Sequence, residues 1–323
     1  MGRLTVYTDI GVYDAPTNLA INDVCLKNVK AGKPIARIYT FSKKGLILAE
    51  HESVWDVRTP SLATRRKTGG SVIYADSTTM GYSLFFNSQD LEKDITHIYR
   101  RLTGPIAEKL GNRLKRDDIG PNQLEKTYVQ LNRDDILPAE SNANQIRQVT
   151  LGRLFSIRVD GKVLSGHAQH ITGDRVQYDG FVHISKPDVD EIGSHIKLRK
   201  LCFSKGKQCL LIDSEVFGLD GKLLGAAEDF ELSVVRDEEQ ELRSVYGLQD
   251  LGIQKDDYIR MVVESFEQAL GLKSESAELE PKTIQEATKL ASQFYANSAL
   301  RDSDSMKRCL GHCFVDLVEP EGS

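Results

Sequence analysis

The chain has 323 residues, 40% of them hydrophobic and 28% charged, with a formal net charge of −5. Those values belong to a globular protein with one large domain, or one domain with an appendage, and argue against a disordered or fibrous chain. With no basic excess, nucleic acid is not the expected partner, although Arg65, Arg66 and Lys67 form a local basic patch.

No apolar run reaches the ~18–20 residues that span a bilayer, so no membrane partner is expected. The opening MGRLTVYTDIGVYDAP lacks a charged region followed by an apolar core, so no secretory signal is read there. Gly2 does not fit the myristoylation pattern, because Val6 stands where Ser or Thr is wanted. Five cysteines at wide spacings fit a reducing, cytoplasmic location better than a disulfide framework.

In chain order, Leu19, Ile21, Val24, Leu26 and Val29 predict a first helix within residues 14–31. Ala36–Phe41 and Gly45–Ala49 read as strands of a hairpin turning at Lys43–Lys44–Gly45. Ser71–Ala75 and Tyr82–Phe86 read as two further strands. Between residues 90 and 111, Leu91, Ile95, Ile98, Leu102, Ile106 and Leu110 recur at helical steps, with Gly111 where a cap belongs. Gly104–Pro105 interrupts that pattern, so one helix or two are expected. Residues 112–150 are polar and weakly periodic, an insertion.

From residue 151 the pattern turns to strands. Asp160–Gly161, Gly173–Asp174 and Asp220–Gly221 mark three hairpins, and Phe230–Val235 is one more strand. The end is helical. Tyr258, Met261, Val262, Ser265, Phe266, Ala269 and Leu270 share one face and stop at Gly271; a second stripe runs from Ile284 to Tyr295 with Pro281 near its start. Strands and helices do not alternate regularly, which argues against a doubly wound parallel sheet. The expected class is α+β, with a mixed, largely antiparallel sheet flanked by helices and a C-terminal helical pair.

Two clusters carry chemistry. TRRKTGGSVIYAD, residues 64–76, sets two arginines and a lysine before a Gly-Gly pair and a strand. Glycines let backbone N–H groups approach an anion, and arginines supply planar donors that stay charged. Neither the G-x-x-x-x-G-K-S/T loop nor G-x-G-x-x-G is present. In the second cluster, residues 160–181, Lys162 follows a tight turn, and the small residues Ser165, Gly166 and Ala168 leave room for a ligand against the backbone.

Together, Arg65-Arg66-x-Thr68-Gly69-Gly70-x-Val72-x-x-x-Asp76 resembles the R-R-x-S/T-G-G-G-x-V-x-H-D segment of the lipoate–protein ligase A/octanoyltransferase family. Lys162 through Ala168 resembles that family's K-I/V-S-G-x-A motif with one extra residue, Leu164. Other departures are Ser71 for the third glycine, Ala75 for the histidine of H-D, Asp179–Gly180 for a later His-Gly, and Tyr82 where asparagine is frequent. The resemblance covers residues 14–300, with 112–150 and 185–225 poorly matched.

The resemblance implies a biotin/lipoate-ligase-like catalytic domain over residues 1–245, with residues 246–323 a helical segment packed on it. It implies that lipoate or octanoate is activated with ATP, usually with Mg2+, as an acyl-adenylate. The acyl group then passes to a lysine of a lipoyl-domain protein, of the 2-oxoacid dehydrogenase E2 or glycine cleavage H type. Lys162 would contact the acyl carbonyl and α-phosphate. Arg65, Arg66, Thr68, Gly69, Gly70, Ser71, Asp76, Gly166, Ala168 and Gly180 would bind nucleotide or acyl chain.

Alternatives follow from other residues. An ATP-independent transferase would need a thioester nucleophile, for which Cys202 and Cys209 in the Lys-rich LRKLCFSKGKQC are the candidates. A non-catalytic lipoyl-domain binding protein would account for the motif departures. No metal site is expected, either at Cys309, His312 and Cys313 or at His167 and His170.

Overall fold

The computed structural model describes residues 2–50, 57–70, 72–91, 94–116, 128–129, 156–159, 162–218 and 222–295. Strand β1 (Arg3–Tyr13) leads into α1 (Ala15–Asn28), whose start is set by Asp14: its side chain accepts a hydrogen bond from the Thr17 backbone N–H. Next come β2 (Ile35–Phe41), β3 (Gly45–Leu48), β4 (Ala63–Arg65), β5 (Ile73–Ala75) and β6 (Thr79–Asn87). The chain continues through α2 (Ile95–Arg116), β7 (Tyr128–Val129), β8 (Ser156–Val159), β9 (Lys162–Thr172) and β10 (Arg175–His183).

A short helix, α3 (Val189–His195), precedes β11 (Lys200–Ser204), β12 (Lys207–Ile212), β13 (Glu215–Gly218), β14 (Leu223–Ala226) and β15 (Ser233–Asp237). The end comprises α4 (Glu238–Arg243), α5 (Lys255–Leu270), β16 (Lys273–Ala277) and α6 (Pro281–Leu290). Among the described residues no helix is long and apolar enough to cross a membrane.

The main sheet has the order β16-β1-β2-β6-β10-β9-β8-β7. β1 pairs in parallel with β16 and β2, and every other neighbouring pair is antiparallel. This is the α+β class the sequence predicts. Both faces are covered. On one, α2 and α5 pack Ile98, Leu102, Ile106, Tyr258, Val262 and Phe266 against Leu84, Phe86, Val176 and Tyr178. On the other, α1 and α6 pack Leu19, Val24 and Ala287 against Tyr39, Phe41, Phe85 and Phe181. A five-stranded sheet (β14-β13-β12-β11-β15) and a three-stranded one (β4-β3-β5) complete the fold.

Several elements differ from the sequence reading. The expected hairpin over Ala36–Ala49 does not form, because β2 lies between β1 and β6 while β3 pairs with β4 and β5 in another sheet. Both strands are buried on both faces, so neither shows the alternation of a surface hairpin. Residues 95–116 are one helix despite Pro105. The C-terminal segment is not wholly helical, since β16 extends the main sheet beside β1. The Gly173–Asp174 hairpin joins β9 to β10, and Gly271 ends α5 in the left-handed conformation. Most of the insertion at 112–150 lies outside the described residues.

Candidate active site

The Arg65–Gly70 segment begins on the last residue of β4 and lies over the α1 face of the main sheet. Its arginines brace the chain itself. Arg66 is 4% exposed; its Nη1 donates to the Ile47 carbonyl (3.2 Å) and Nη2 to the Gly69 carbonyl (2.7 Å). Arg65 Nη1 donates to the carbonyls of Ala49 and Glu50. The Arg66 guanidinium also lies 5.9 Å from the centroid of the Phe181 ring on β10. Gly70 has φ 98°, a conformation that needs glycine. Ser71 lies outside the described residues.

Below this loop the sheet is polar. Thr68, fully buried, donates its hydroxyl to Asp179 Oδ2 at 3.2 Å. Asp179 also accepts from Ser83 Oγ (2.7 Å) and from Gln177 Nε2 (2.8 and 3.0 Å). Burial pushes its carboxyl above the usual range, while these hydrogen bonds and the charge of Arg66 oppose the shift. The network continues through Asn22, which donates to Ser83 Oγ and the Tyr39 hydroxyl, to the fully buried Arg37 paired with Asp9 at 2.8 Å. None of these partners was singled out from the sequence. The available signal was the pair Gln177 and Asp179, polar at period two within a strand that also buries Val176, Tyr178 and Val182.

Strand register sorts the remaining candidates by face, since directly paired residues point to the same side. Gly166 pairs with Phe181, and Ala168 pairs with Asp179, so both belong to the face beneath Arg66 and Thr68. A side chain added at Gly166 or at Gly69 would meet nothing within 4 Å, so there is room at both. Gly180 belongs to the opposite face. A Cβ there would lie 2.1 Å from Cε2 of Tyr82, so its missing side chain is filled by that ring, not by open space. Tyr82 in turn hydrogen-bonds His167 Nε2 (2.7 Å) and Tyr258 (3.2 Å), which makes His167 a core residue.

Asp76 organises the turn between β5 and β6: its Oδ1 accepts from the Thr78 N–H and hydroxyl and from Thr79 Oγ1. Thr79 Oγ1 also lies 3.3 Å from Nδ1 of His183, a residue the sequence reading passed over. Burial lowers the His183 pKa to about 4, with Asp76 opposing.

Lys162 opens β9 and is exposed, its Nζ 4.9 Å from the centroid of the Tyr246 ring. β9 carries a bulge at Leu164: Arg158 pairs with Val163 but Ile157 pairs with Ser165. Lys162, Leu164 and Ser165 therefore share the α2–α5 face, and Val163 points with Gly166 towards Arg66. The structure sets Arg66, Thr68, Gly69, Gly166 and Ala168 on one face of the sheet; Lys162 lies on the opposite face, its ammonium against Tyr246.

Cys202 and Cys209 are unsuited to the nucleophile role considered for them. They pair across β11 and β12 in the five-stranded sheet, 0% and 3% exposed, beside Val216. Burial raises both thiol pKa values, so little thiolate forms at neutral pH. Among the described residues no group of three or more His, Cys, Asp or Glu side chains could hold a metal ion. Cys309, His312 and Cys313 lie outside those residues.

A family model described as the lipoyl protein ligase A/B catalytic domain matches residues 14–223, more than half of the chain. Among solved structures, a lipoate-protein ligase A bound with ATP has 14% identity and a TM-score of 0.58, over 95% of this chain and 98% of that one. A bipartite lipoate protein ligase described with its E2 lipoyl domain, from Thermoplasma acidophilum, has 16% identity and a TM-score of 0.57, over 96% of each chain. P. falciparum LipL1 in complex with lipoate has 12% identity and a TM-score of 0.54, over 95% of this chain and 74% of that one. These likenesses are of fold. No match is found among curated proteins.

Proposed function

The chain belongs to the lipoyl protein ligase A/B catalytic-domain family, a family of enzymes, and on that premise we propose that it activates lipoate or octanoate with ATP and transfers the acyl group to a lipoyl-domain lysine. In the first step a carboxylate oxygen attacks the α-phosphorus, pyrophosphate leaves, and acyl-AMP forms. In the second the acceptor amine attacks the acyl carbonyl, loses a proton, and AMP leaves.

The observation that carries this reading is the braced loop facing an open strand. Arg66 holds the Gly69 carbonyl, Gly70 takes a conformation open only to glycine, and Gly166 lies one strand from Phe181, beneath the Arg66 guanidinium. Backbone without a Cβ at Gly69 and Gly166 gives phosphate and acyl groups close access. The acidic side chains near the loop are committed, Asp179 to Thr68 and Ser83, and Asp76 to its own turn. A magnesium ion would therefore arrive on the nucleotide phosphates, as its preference for phosphate and water ligands favours.

Lys162 is the proposed catalytic cation. In the family pattern the lysine and serine of K-I/V-S stand two apart and so share a strand face. Here they stand three apart, and the bulge at Leu164 restores the shared face of Lys162 and Ser165. An ammonium over the acyl-phosphate would stabilise charge that grows on oxygen in the transition state. Asp76 orders the turn leading into β6, and Arg65 anchors the loop's entry through Ala49 and Glu50.

Incubation with ATP and lipoate, followed by mass spectrometry for acyl-adenylate, tests the proposal. The ligase makes the adenylate; a thioester transferase or a non-catalytic lipoyl-domain binding protein does not.

A further inference from the structure

The segment between α4 and α5 crosses the end of the main sheet as a strap. The Tyr246 N–H donates to the Val163 carbonyl on β9 at 2.8 Å, and Gly247 forms a parallel bridge with His183 on β10. The strap lies so close that a Cβ on Gly247 would fall 2.5 Å from the Ser185 carbonyl carbon. Val245 and Leu248 are buried on either side of this crossing, so the position of Tyr246 is set by backbone and not by chance packing. Its ring lies 4.9 Å from the Lys162 ammonium, where the negative face of the aromatic system attracts a cation.

We infer that Tyr246 is a positioning residue that docks Lys162 in a resting place away from the Arg66–Gly70 loop, and that substrate phosphate must draw the ammonium off the ring. The inference rests on the catalytic reading of Lys162. The geometry behind it is the β9 bulge, which turns Lys162 with Ser165 to one face while Val163 and Gly166 point to the face beneath Arg66. The docked and engaged positions are alternatives for one side chain. A docked population therefore weakens apparent binding of the anion by the fraction it removes from the engaged state.

The test compares wild type, Tyr246→Leu and Tyr246→Phe. Limiting acetic anhydride labels exposed amines, and peptide mass spectrometry reads Lys162 against the exposed Lys33 as internal reference. Tyr246→Leu should raise relative labelling of Lys162 about 2- to 5-fold, the factor equivalent to ~0.5–1 kcal/mol for an exposed ammonium on a ring. Tyr246→Phe, which keeps the ring, should label like wild type. In acyl-adenylate formation Tyr246→Leu should lower the KM for ATP by a similar factor and leave kcat unchanged. Unchanged labelling in Tyr246→Leu overturns the dock, as does raised labelling with an unchanged KM. If labelling responds but no variant makes adenylate, the ligase reading falls and the role in catalysis falls with it, while the ammonium–ring contact stands.

Discussion

The Thr68 hydroxyl donates a hydrogen bond of 3.2 Å to Asp179 Oδ2, tying the Arg66–Gly70 loop to the centre of the main sheet across 111 positions of sequence. Both residues are buried, and Asp179 accepts from Ser83 and Gln177 as well. The loop is therefore held from below by a carboxyl that burial keeps above its usual pKa.

Asp179→Asn should be tolerated and Asp179→Ala should not. Alanine leaves the hydroxyls of Thr68 and Ser83 and the amide of Gln177 without their acceptor, at a cost of about 1–3 kcal/mol. Asparagine keeps an acceptor, and once the Gln177 amide flips, the new amide can donate to Gln177 Oε1, which has no partner among the described residues. The pH dependence follows from the raised folded-state pKa. The native state binds the proton more tightly than the unfolded chain, whose carboxyl titrates near ~3.9. Wild type accordingly loses stability as pH rises from about 4 through the folded-state value. The Tm of Asp179→Asn relative to wild type should thus be higher at pH 7 than at pH 4; the opposite trend would contradict a buried carboxyl that prefers its proton.

His183 acts in the other direction. Its folded-state pKa of about 4 lies below the unfolded value, so its neutral form stabilises the protein above about pH 6.5 and that contribution is lost as pH falls towards 4. Denaturant melts across that window should show a slope of up to ~1.4 kcal/mol per pH unit from this one proton. His183→Gln should remove that part of the slope; a profile identical to wild type would mean that the half-buried imidazole is not held neutral.

Gly180→Ala should destabilise by about 1–3 kcal/mol, because the new methyl would meet the Tyr82 ring 2.1 Å away in a packed core. The displaced ring would also lose its hydrogen bond to His167. Thermal melting checks this, and an unchanged Tm would show that Tyr82 does not lie across Gly180.

The helices were largely legible because their apolar stripes repeat at helical spacing: Tyr258, Val262, Phe266 and Ala269 line the buried face of α5 as their spacing predicts. The Gly173–Asp174 hairpin was legible for a similar local reason; Asp160–Gly161 and Asp220–Gly221 lie outside the described residues, although the strands they separate are paired. β1 was not read, since its burial alternates poorly and its partners are β2 and the distant β16. The loop at Thr68–Gly70 and the small residues Gly166 and Ala168 were visible as motifs. The Asp179 network was not, because Thr68, Ser83, Asn22 and Gln177 meet only through long-range pairing. Gly180 looked like a ligand-facing glycine from its motif, and only the register reveals the Tyr82 ring across it.

The most direct test of the account is acyl transfer by Lys162→Ala. The side chain is exposed at the start of β9, so truncation should change stability by no more than about 0.5 kcal/mol. Loss of one donor to the oxygen that gains charge should slow transfer of lipoate or octanoate to a lipoyl-domain acceptor by about 100–1,000-fold. Lys162→Arg should restore little of it, since a planar fork does not replace a compact ammonium. With thermal melting as the control for folding, a 100-fold or greater loss of transfer is the predicted result. Transfer at the wild-type rate by the alanine variant would contradict the assignment of Lys162 to the acyl-phosphate.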